Sequence, residues 1–551
     1  MIQNKDLTVL FIVQAGKKFG IGHLKRALQI SGFYSKSFIW VITDLKDTSS
    51  LNPLLLDTNH QISAYKNSVN ISDILKEFEF NLIVNDCVHL NESLSKTLIT
   101  CGIPMISLDN HKLGICSEIY VAPLPTKKTK HANFTEIYQT PINEKFFSLP
   151  SEKNSINKIL ITLGGSDPHN NAERIIKGLK DTSYQITVIA GPLSHYNIEE
   201  QEHLKVIYNV SDLLPYIQAN DLIFCGPGTT LLESLAAKKH VIAIAHNFKQ
   251  YQDISNSSQI NSLLGYIFLT TTKIKKAISK STNGKLSIPD NFNFQEWFLN
   301  LSNAIAGRPA FCPLCSSSNK KSLLRTAKQN LFSCINCNST YIYNIESPTI
   351  QISGDTIIAD NSEQSQQSYK QGVLNLREDS QRRIQIIKKI LPIPNHHLTY
   401  KLIDLGAEHG IFVQEASHNG FSAQGVELSS FARRVALDSH NINIIDSMDK
   451  IYEQGPVHHV ITAWKKIELL ADPLTYIKKL STLIPIGGLL AFRAPIVNTK
   501  KSLNTGYFRI TEKGGKCLVE HAGFVIAQVS TYVNENKEEF LEFYCIKRID
   551  T

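Results

Sequence analysis

Four of the ten cysteines form two Cys-x-x-Cys pairs, Cys312/Cys315 and Cys334/Cys337, with eighteen residues between them. Two such knuckles can close one tetrahedral thiolate site, and this spacing is a strong zinc-ribbon signal. Four thiolates leave no open coordination position, so the expected Zn2+ is structural; a segment this short has too little core to fold without it. A second set of residues suits anionic ligands. Three glycine-rich turns stand out: Gly20-Ile21-Gly22-His23, Gly164-Gly165-Ser166-Asp167 and Gly226-Pro227-Gly228-Thr229-Thr230. Glycines let a backbone come close to a ligand, and the first amides of a following helix attract phosphate. His23 stands at such a helix start with an imidazole able to move a proton near neutrality. Thr229 and Thr230 add hydroxyls that can hold a diphosphate, and Glu233, one turn later, can accept hydrogen bonds from a ribose diol. The bland alternatives are a loop-bonded histidine for His23 and a solvated helix glutamate for Glu233.

The elements that must position these residues follow from apolar patterning. At 551 residues the chain is long for one core, and roughly three or four domains are expected. Residues 1–150 alternate short apolar runs ("LTVLFIV", "SFIWVIT", "FNLIVND", "GIPMISLD", "EIYVAP") with amphipathic stretches, which predicts a parallel sheet covered by helices. Residues 151–307 repeat the pattern from "NKILITLGG" through "HVIAIAH". The cysteine module spans 308–347, a polar connector and leading helix 348–396, and a third α/β pattern 397–551. No run of about 18 apolar residues exists and the N-terminus reads as no secretory leader, so a cytoplasmic protein without a membrane span is expected. Cys87, Cys101, Cys116, Cys225, Cys517 and Cys545 fit that setting as reduced thiols in or beside apolar segments. The formal charge of +8 is spread along the chain and suggests anionic ligands without demanding nucleic acid.

Two tandem Rossmann-like domains are the architecture of GT-B nucleotide-sugar enzymes. Within that frame residues 1 to about 305 resemble the UDP-sugar hydrolase of pseudaminic acid biosynthesis and its spore-coat-polysaccharide relatives. The matching stretches are "GIGHLKR", "NDCV", "SLDN", "LITLGGSDPHNN" and "GPGTTLLESLAAKKHVIAIAHN", in the family's order. The resemblance implies that His23 positions or deprotonates the water attacking the anomeric carbon. It also implies that Gly226, Gly228, Thr229, Thr230 and Glu233 hold the UDP leaving group and that Asn247 lines the sugar site. Gly20, Gly22, Arg26, Asp86, Gly164 and Gly165 complete the expected nucleotide-sugar site. A strand-end aspartate capping its loop is an equal reading for Asp86. The chain departs from the family at Asp86-Cys87-Val88, which lacks a tyrosine, and at Asn247-Phe248, where Gln250 falls slightly late.

The stretch "YKLIDLGAEHGIFVQEASHNGFSAQGVELSSFARRVA" resembles the glycine turn of class I methyltransferases that bind S-adenosylmethionine. Asp404, Gly406 and Gly410 fit the acidic-x-Gly-x-Gly-x-Gly pattern, with Glu408 in place of the middle glycine. The resemblance implies that Gly406 admits the methionine portion of the cofactor and that Glu427 takes the ribose hydroxyls. A dinucleotide fold is the competitor, and Asp472-Pro473 and Gly487-Gly488 downstream match methyltransferases instead. A four-cysteine module ahead of such a domain resembles sugar methyltransferases. Where many of these read Leu-Glu-His-Val, this chain reads Ile467-Glu468-Leu469-Leu470, so no base is assigned; His409 is available but equally suits a loop-stabilising role. The expectation is a bifunctional enzyme of bacterial surface-glycan biosynthesis, hydrolysing a UDP-sugar and methylating a sugar or sugar nucleotide. A UDP-sugar glycosyltransferase fused to a methyltransferase is the alternative. An RNA methyltransferase ranks last, because the ribbon lacks the interleaved aromatics that stack bases.

Overall fold

The computed structural model describes residues 7–548 apart from 65–70, 123–131, 148–154, 282–291, 346–362, 392–398, 498–505 and a few single or paired loop positions. Val88, Ser166 and residues 351–362 of the polar connector lie outside the described residues. The chain divides into two compact units. One comprises 1–310 with 324–328, and the other 311–323 with 329–551.

The first unit holds two six-stranded parallel sheets. In the first, β1 (Thr8–Ala15), β2 (Lys36–Thr43), β3 (His60–Ala64), β4 (Leu82–Asp86), β5 (Met105–Leu108) and β6 (Ile119–Val121) are ordered β3-β2-β1-β4-β5-β6. In the second, β7 (Lys158–Thr162), β8 (Gln185–Ala190), β9 (Leu204–Tyr208), β10 (Leu222–Cys225), β11 (His240–Ala245) and β12 (Asn261–Leu264) are ordered β12-β11-β10-β7-β8-β9. Both are doubly wound, with the crossover in strand order at β1/β4 and β7/β10. Central strands such as "TVLFIVQA" are buried along nearly their whole length, because helices cover both faces and no polar alternation is needed. The second sheet accordingly packs two separate apolar clusters, one around Leu160, Leu231 and Ile223 and the other around Ile161, Phe224 and Ile274. Strands β3 and β12 were not expected from the sequence. They are short edge strands, and β12 is only partly buried, so neither carries a long apolar run.

An antiparallel sheet follows, of β13 (Lys320–Arg325, whose last two residues are grouped with the first unit), β14 (Gln329–Cys334) and β15 (Thr340–Asn344), to which β20 (Phe508–Arg509) adds a fourth strand. The last sheet contains β16 (Lys401–Leu405), β17 (Ser422–Val426), β18 (Val460–Trp464), β19 (Leu489–Pro495), β21 (Phe524–Val533) and β22 (Glu539–Lys547), ordered β17-β16-β18-β19-β22-β21. Its first four strands are parallel, and β21 and β22 close it as the expected antiparallel pair. The leading helix Glu363–Ile390 packs Ile384 and Ile387 onto this sheet against Leu402, Phe412, Val460 and Tyr544. Among the described residues, no helix is long and apolar enough to cross a membrane.

Phe543 stands on β22, fully buried and stacked on Phe492 of β19 with centroids 5.0 Å apart. Phe543→Ala is expected to destabilise the second unit by ~3–5 kcal/mol, read as a lower denaturant midpoint for that unit's transition.

Candidate functional site

The first glycine turn leaves β1 through a two-bond bridge between Gly16 and Gly20, and Gly20 takes the left-handed φ of 72° that a side chain resists. Helix Gly22–Ser31 starts immediately, placing His23 in its first turn and Arg26 one turn further on the same face. Both reach Asp86, the buried last residue of β4, whose strand pairs directly with β1. His23 Nδ1 lies 2.7 Å from Asp86 Oδ1, while Arg26 Nε donates to Asp86 Oδ2 at 2.7 Å and Arg26 Nη2 to Oδ1 at 2.5 Å. Arg26 Nη1 also donates to Asp109 Oδ2 at 2.8 Å. Burial by itself would raise the Asp86 carboxyl, but the charge of Arg26, followed by that of His23, holds it well below the usual carboxylate range. An ionised acceptor at Nδ1 fixes the imidazole proton there and leaves Nε2 as the basic nitrogen. Asp86 and Arg26, expected to bind the sugar nucleotide, are thus engaged with each other and with His23. Asp109 is a further member of the network; it follows β5 within the stretch "SLDN" but is not among the site residues expected from the sequence.

The three glycine turns meet. A Cβ on Gly165 would come 2.7 Å from Ile21 Cγ1, and one on Gly22 would lie 3.6 Å from Thr229 Oγ1. Gly164 takes a φ of 93°, and Gly226 abuts the Leu163 carbonyl and His246 Nε2. The space at Gly228 is open, and this residue precedes helix Thr229–Ala236 in extended conformation with no side chain capping the helix start. Its first-turn amides and the Thr229 and Thr230 hydroxyls are therefore placed for an anion. Glu233 lies one turn in. Burial raises its carboxyl to about 7, with Lys25 of helix Gly22–Ser31 lowering it and Asp212 raising it. Asn247, expected to help line the sugar site, caps helix Phe248–Ile254, its Oδ1 accepting from Gln250 N at 2.9 Å. Gln250 in turn accepts from His246 N, and Phe248 is 61% exposed. Asp167 of the second turn is likewise structural, accepting from Asn171 Nδ2 and Ala172 N.

The four cysteines converge, with all four sulfurs within 4.8 Å of one another and the Cys312–Cys337 and Cys315–Cys334 pairs 3.7 and 3.5 Å apart. Zinc–sulfur bonds of about 2.3 Å in a tetrahedron require sulfurs about 3.8 Å apart, so the residues fit Zn2+. Each knuckle turns through a left-handed residue, Ser316 and Asn338. The second knuckle is tied to the helix Glu512–Glu520 and to β20. Thr511 Oγ1 donates to the Cys337 carbonyl, Thr511 N to Ser339 Oγ and Lys513 Nζ to the Asn336 carbonyl, while Tyr341 pairs with Phe508.

In the last sheet Asp404 is buried on β16 and accepts from Thr462 Oγ1 at 2.6 Å; burial is the chief cause that raises its carboxyl to about 7. Gly406 and Gly410 both adopt left-handed φ, 68° and 78°. The Glu427 carboxylate is held at the end of β17 by Glu408 N at 3.1 Å and Ser429 N at 3.0 Å, which orients its remaining lone pairs for a diol. Lys466 crosses the turn, its chain lying where a Gly406 Cβ would be and its Nζ 3.4 Å from Glu408 Oε1. The anchored Glu427 carboxylate at the end of β17 fits the ribose diol of S-adenosylmethionine.

Taken together, these sites define a chain with three Rossmann-type sheets, a four-thiolate module and glycine turns at the carboxyl ends of strands. It is similar to the magnesium protoporphyrin IX methyltransferase of Synechocystis PCC 6803 with bound SAH, at 9% identity and TM-score 0.27 over 32% of this chain and 84% of that one. A SAM-dependent methyltransferase of Methanosarcina mazei is similar at 15% identity and TM-score 0.25, over 30% of this chain and 98% of that one. In sequence, the chain is 21% identical over 271 residues to an uncharacterized protein of Methanocaldococcus jannaschii, covering 44% of this chain. It spans 56% of that relative's length. No protein-family model matches the chain.

Cys334→Ser is expected to lower bound zinc from roughly one ion per chain and to lower the melting temperature of the second unit by several degrees. Colorimetric zinc release and thermal circular dichroism measure both, and unchanged zinc content would reject the assignment. For Glu233, an acid raised in the folded state favours folding below its unfolded value, and the opposing cost grows as pH rises to about 7. Its ionised form is the better acceptor for two hydroxyls, so affinity for uridine, which has no titrating phosphate, should rise with pH through about 7. Glu233→Gln should flatten that profile in calorimetric titrations.

Proposed function

We propose that this chain is a bifunctional enzyme of bacterial surface-glycan biosynthesis of the pseudaminic or nonulosonic acid type. Its first unit, read as a GT-B enzyme, hydrolyses UDP-2,4-diacetamido-2,4,6-trideoxy-β-L-altropyranose or a similar UDP-sugar. The observation that carries this reading is the His23–Asp86–Arg26 network beside three converging glycine turns. With the Nδ1 proton held by Asp86, His23 Nε2 accepts a proton from water as the water oxygen bonds to the anomeric carbon. The anomeric C–O bond breaks and its electron pair leaves on the UDP β-phosphate oxygen. Amides at Gly228 to Thr230 and the two threonine hydroxyls stabilise that developing charge. The free sugar and UDP are the products, and no redox change occurs.

The second unit is read as a methyltransferase acting on a sugar or sugar nucleotide. S-adenosylmethionine supplies an electrophilic methyl group when bound. Glu427 would hold its ribose hydroxyls, Asp404 would brace the turn through Thr462, and the left-handed Gly406 and Gly410 shape that turn while Lys466 and Ile442 pack against them. Methyl transfer from a sulfonium depends chiefly on alignment and desolvation.

Incubation with the UDP-sugar and no acceptor tests the first activity. Wild type should release UDP, and His23→Ala should not. Asp86→Asn should lower kcat by about 10²–10⁴ with KM little changed, because it removes the charge that orients the imidazole. Folded protein that binds UDP yet releases none would reject hydrolysis in favour of transfer to an acceptor.

A further inference from the structure

The leading helix Glu363–Ile390 brings Asp379, Arg382 and Arg383 to Arg493 of β19 and Glu542 of β22. The two carboxylates are taken by two of the three guanidiniums. Arg493 Nη2 donates to Asp379 Oδ2 at 2.7 Å and Arg493 Nε to Glu542 Oε1 at 2.9 Å. Arg382 Nη2 donates to Asp379 Oδ1 at 2.7 Å and Arg382 Nη1 to Glu542 Oε2 at 2.9 Å. Arg382 is also 38% exposed, so water shares its charge.

Arg383 is left over. It is 4% exposed, and its approach to a carboxylate is 3.3 Å to the Asp379 oxygen that Arg493 already holds. Its Nε donates to the Asp379 carbonyl and its Nη2 to Ser380 Oγ at 3.4 Å, while Nη1 has no hydrogen-bond partner among the described residues. The guanidinium lies over the ring of Trp464 at 4.3 Å and over that of Phe412 at 5.0 Å. Trp464 ends β18, and Phe412 stands in the first turn of the helix after Gly410. This is the carboxyl edge of the sheet, where open α/β sheets hold ligands. Asp404 of β16 also faces this guanidinium electrostatically without bonding to it, so the idle donor remains available to an anion.

We propose that Arg383 is a carboxylate-binding group of the ligand site at this edge. A carboxylate matches the planar fork and offers Arg383 the direct partner that the shared Asp379 and the neighbouring but unbonded Asp404 do not supply. The inference rests on reading the second unit as a methyltransferase. The carboxylate comes either from the amino-acid end of the cofactor or from the methyl acceptor.

Two ligand pairs separate these sources in calorimetric and NMR titrations of the full chain. S-adenosylhomocysteine is compared with 5′-methylthioadenosine, which lacks the amino-acid end, and, with S-adenosylhomocysteine saturating, N-acetylneuraminate with its methyl ester. In at least one pair, the carboxylate member should bind wild type tenfold or more tightly, and Arg383→Met should erase that preference. The responding pair identifies the source. No preference in either pair, or a preference that survives in Arg383→Met, overturns the proposal. Should Arg383→Met not fold, Arg383→Lys keeps the charge without the fork, and full retention of the preference there also overturns it. Wild type that binds neither adenosine compound refutes the methyltransferase reading itself, an outcome distinct from a missing preference.

Discussion

The first site depends on one buried carboxylate. Asp86 has lost its water at the end of β4, and such a group stays ionised only because Arg26 and His23 bond to it from one helix. The dependence runs both ways. Arg26 is itself buried, and its charge survives there only between Asp86 and Asp109. Helix Gly22–Ser31 therefore has one permitted rotation, the one that presents His23 to Asp86. The glycine turn that launches it must be short enough to leave His23 in the first turn, and the bridge between Gly16 and Gly20 enforces this.

The close approach of the turns follows from the same economy of space. Gly165 gives way to Ile21, and Gly22 faces Thr229, so residues far apart in sequence form one wall. The individual turns were legible in the sequence because glycine spacing after an apolar run is a local signal. The parallel sheets were legible for a related reason: strands buried on both faces read as unbroken apolar runs. What the sequence withheld is pairwise. Asp86 read as a strand-end aspartate or a ligand group, since nothing in "NDCV" tells which arginine or histidine will reach it. Asp109 and Lys25 were missed for the same reason. Asn247 carried a role by position in a motif, whereas its geometry also shows a helix cap, a task its residue type performs in many proteins without any ligand.

The two Cys-x-x-Cys pairs announce themselves in the sequence and their sulfurs converge, but the strand that joins their sheet does not announce itself. A two-residue strand such as Phe508–Arg509 leaves no periodicity to detect, yet it extends the ribbon's sheet to four strands. From there the chain runs back toward the last sheet: Tyr507 N donates to the Glu468 carbonyl, and Ile342 N to the Tyr507 carbonyl. Glu468 belongs to the turn that follows Trp464 and Lys466. The four-cysteine cluster beside β15 thus has a hydrogen-bonded route to the loop bordering the glycine turn of the last sheet.

The arginine cluster extends the logic of Asp86 to a different end. At Asp86 the buried charges close on themselves, because one carboxylate and a second aspartate match one guanidinium and an imidazole. Along the leading helix the match is incomplete: Asp379 and Glu542 are already bonded by Arg382 and Arg493, and Arg383 stacks on Trp464 and Phe412 with one amino group idle. Aromatic faces moderate the charge of a guanidinium but supply no hydrogen-bond acceptor in its plane. A closed network is what a positioning device requires, since any spare donor would compete for the group being oriented. An open one, at the edge of a sheet where ligands enter, has the composition of a receptor.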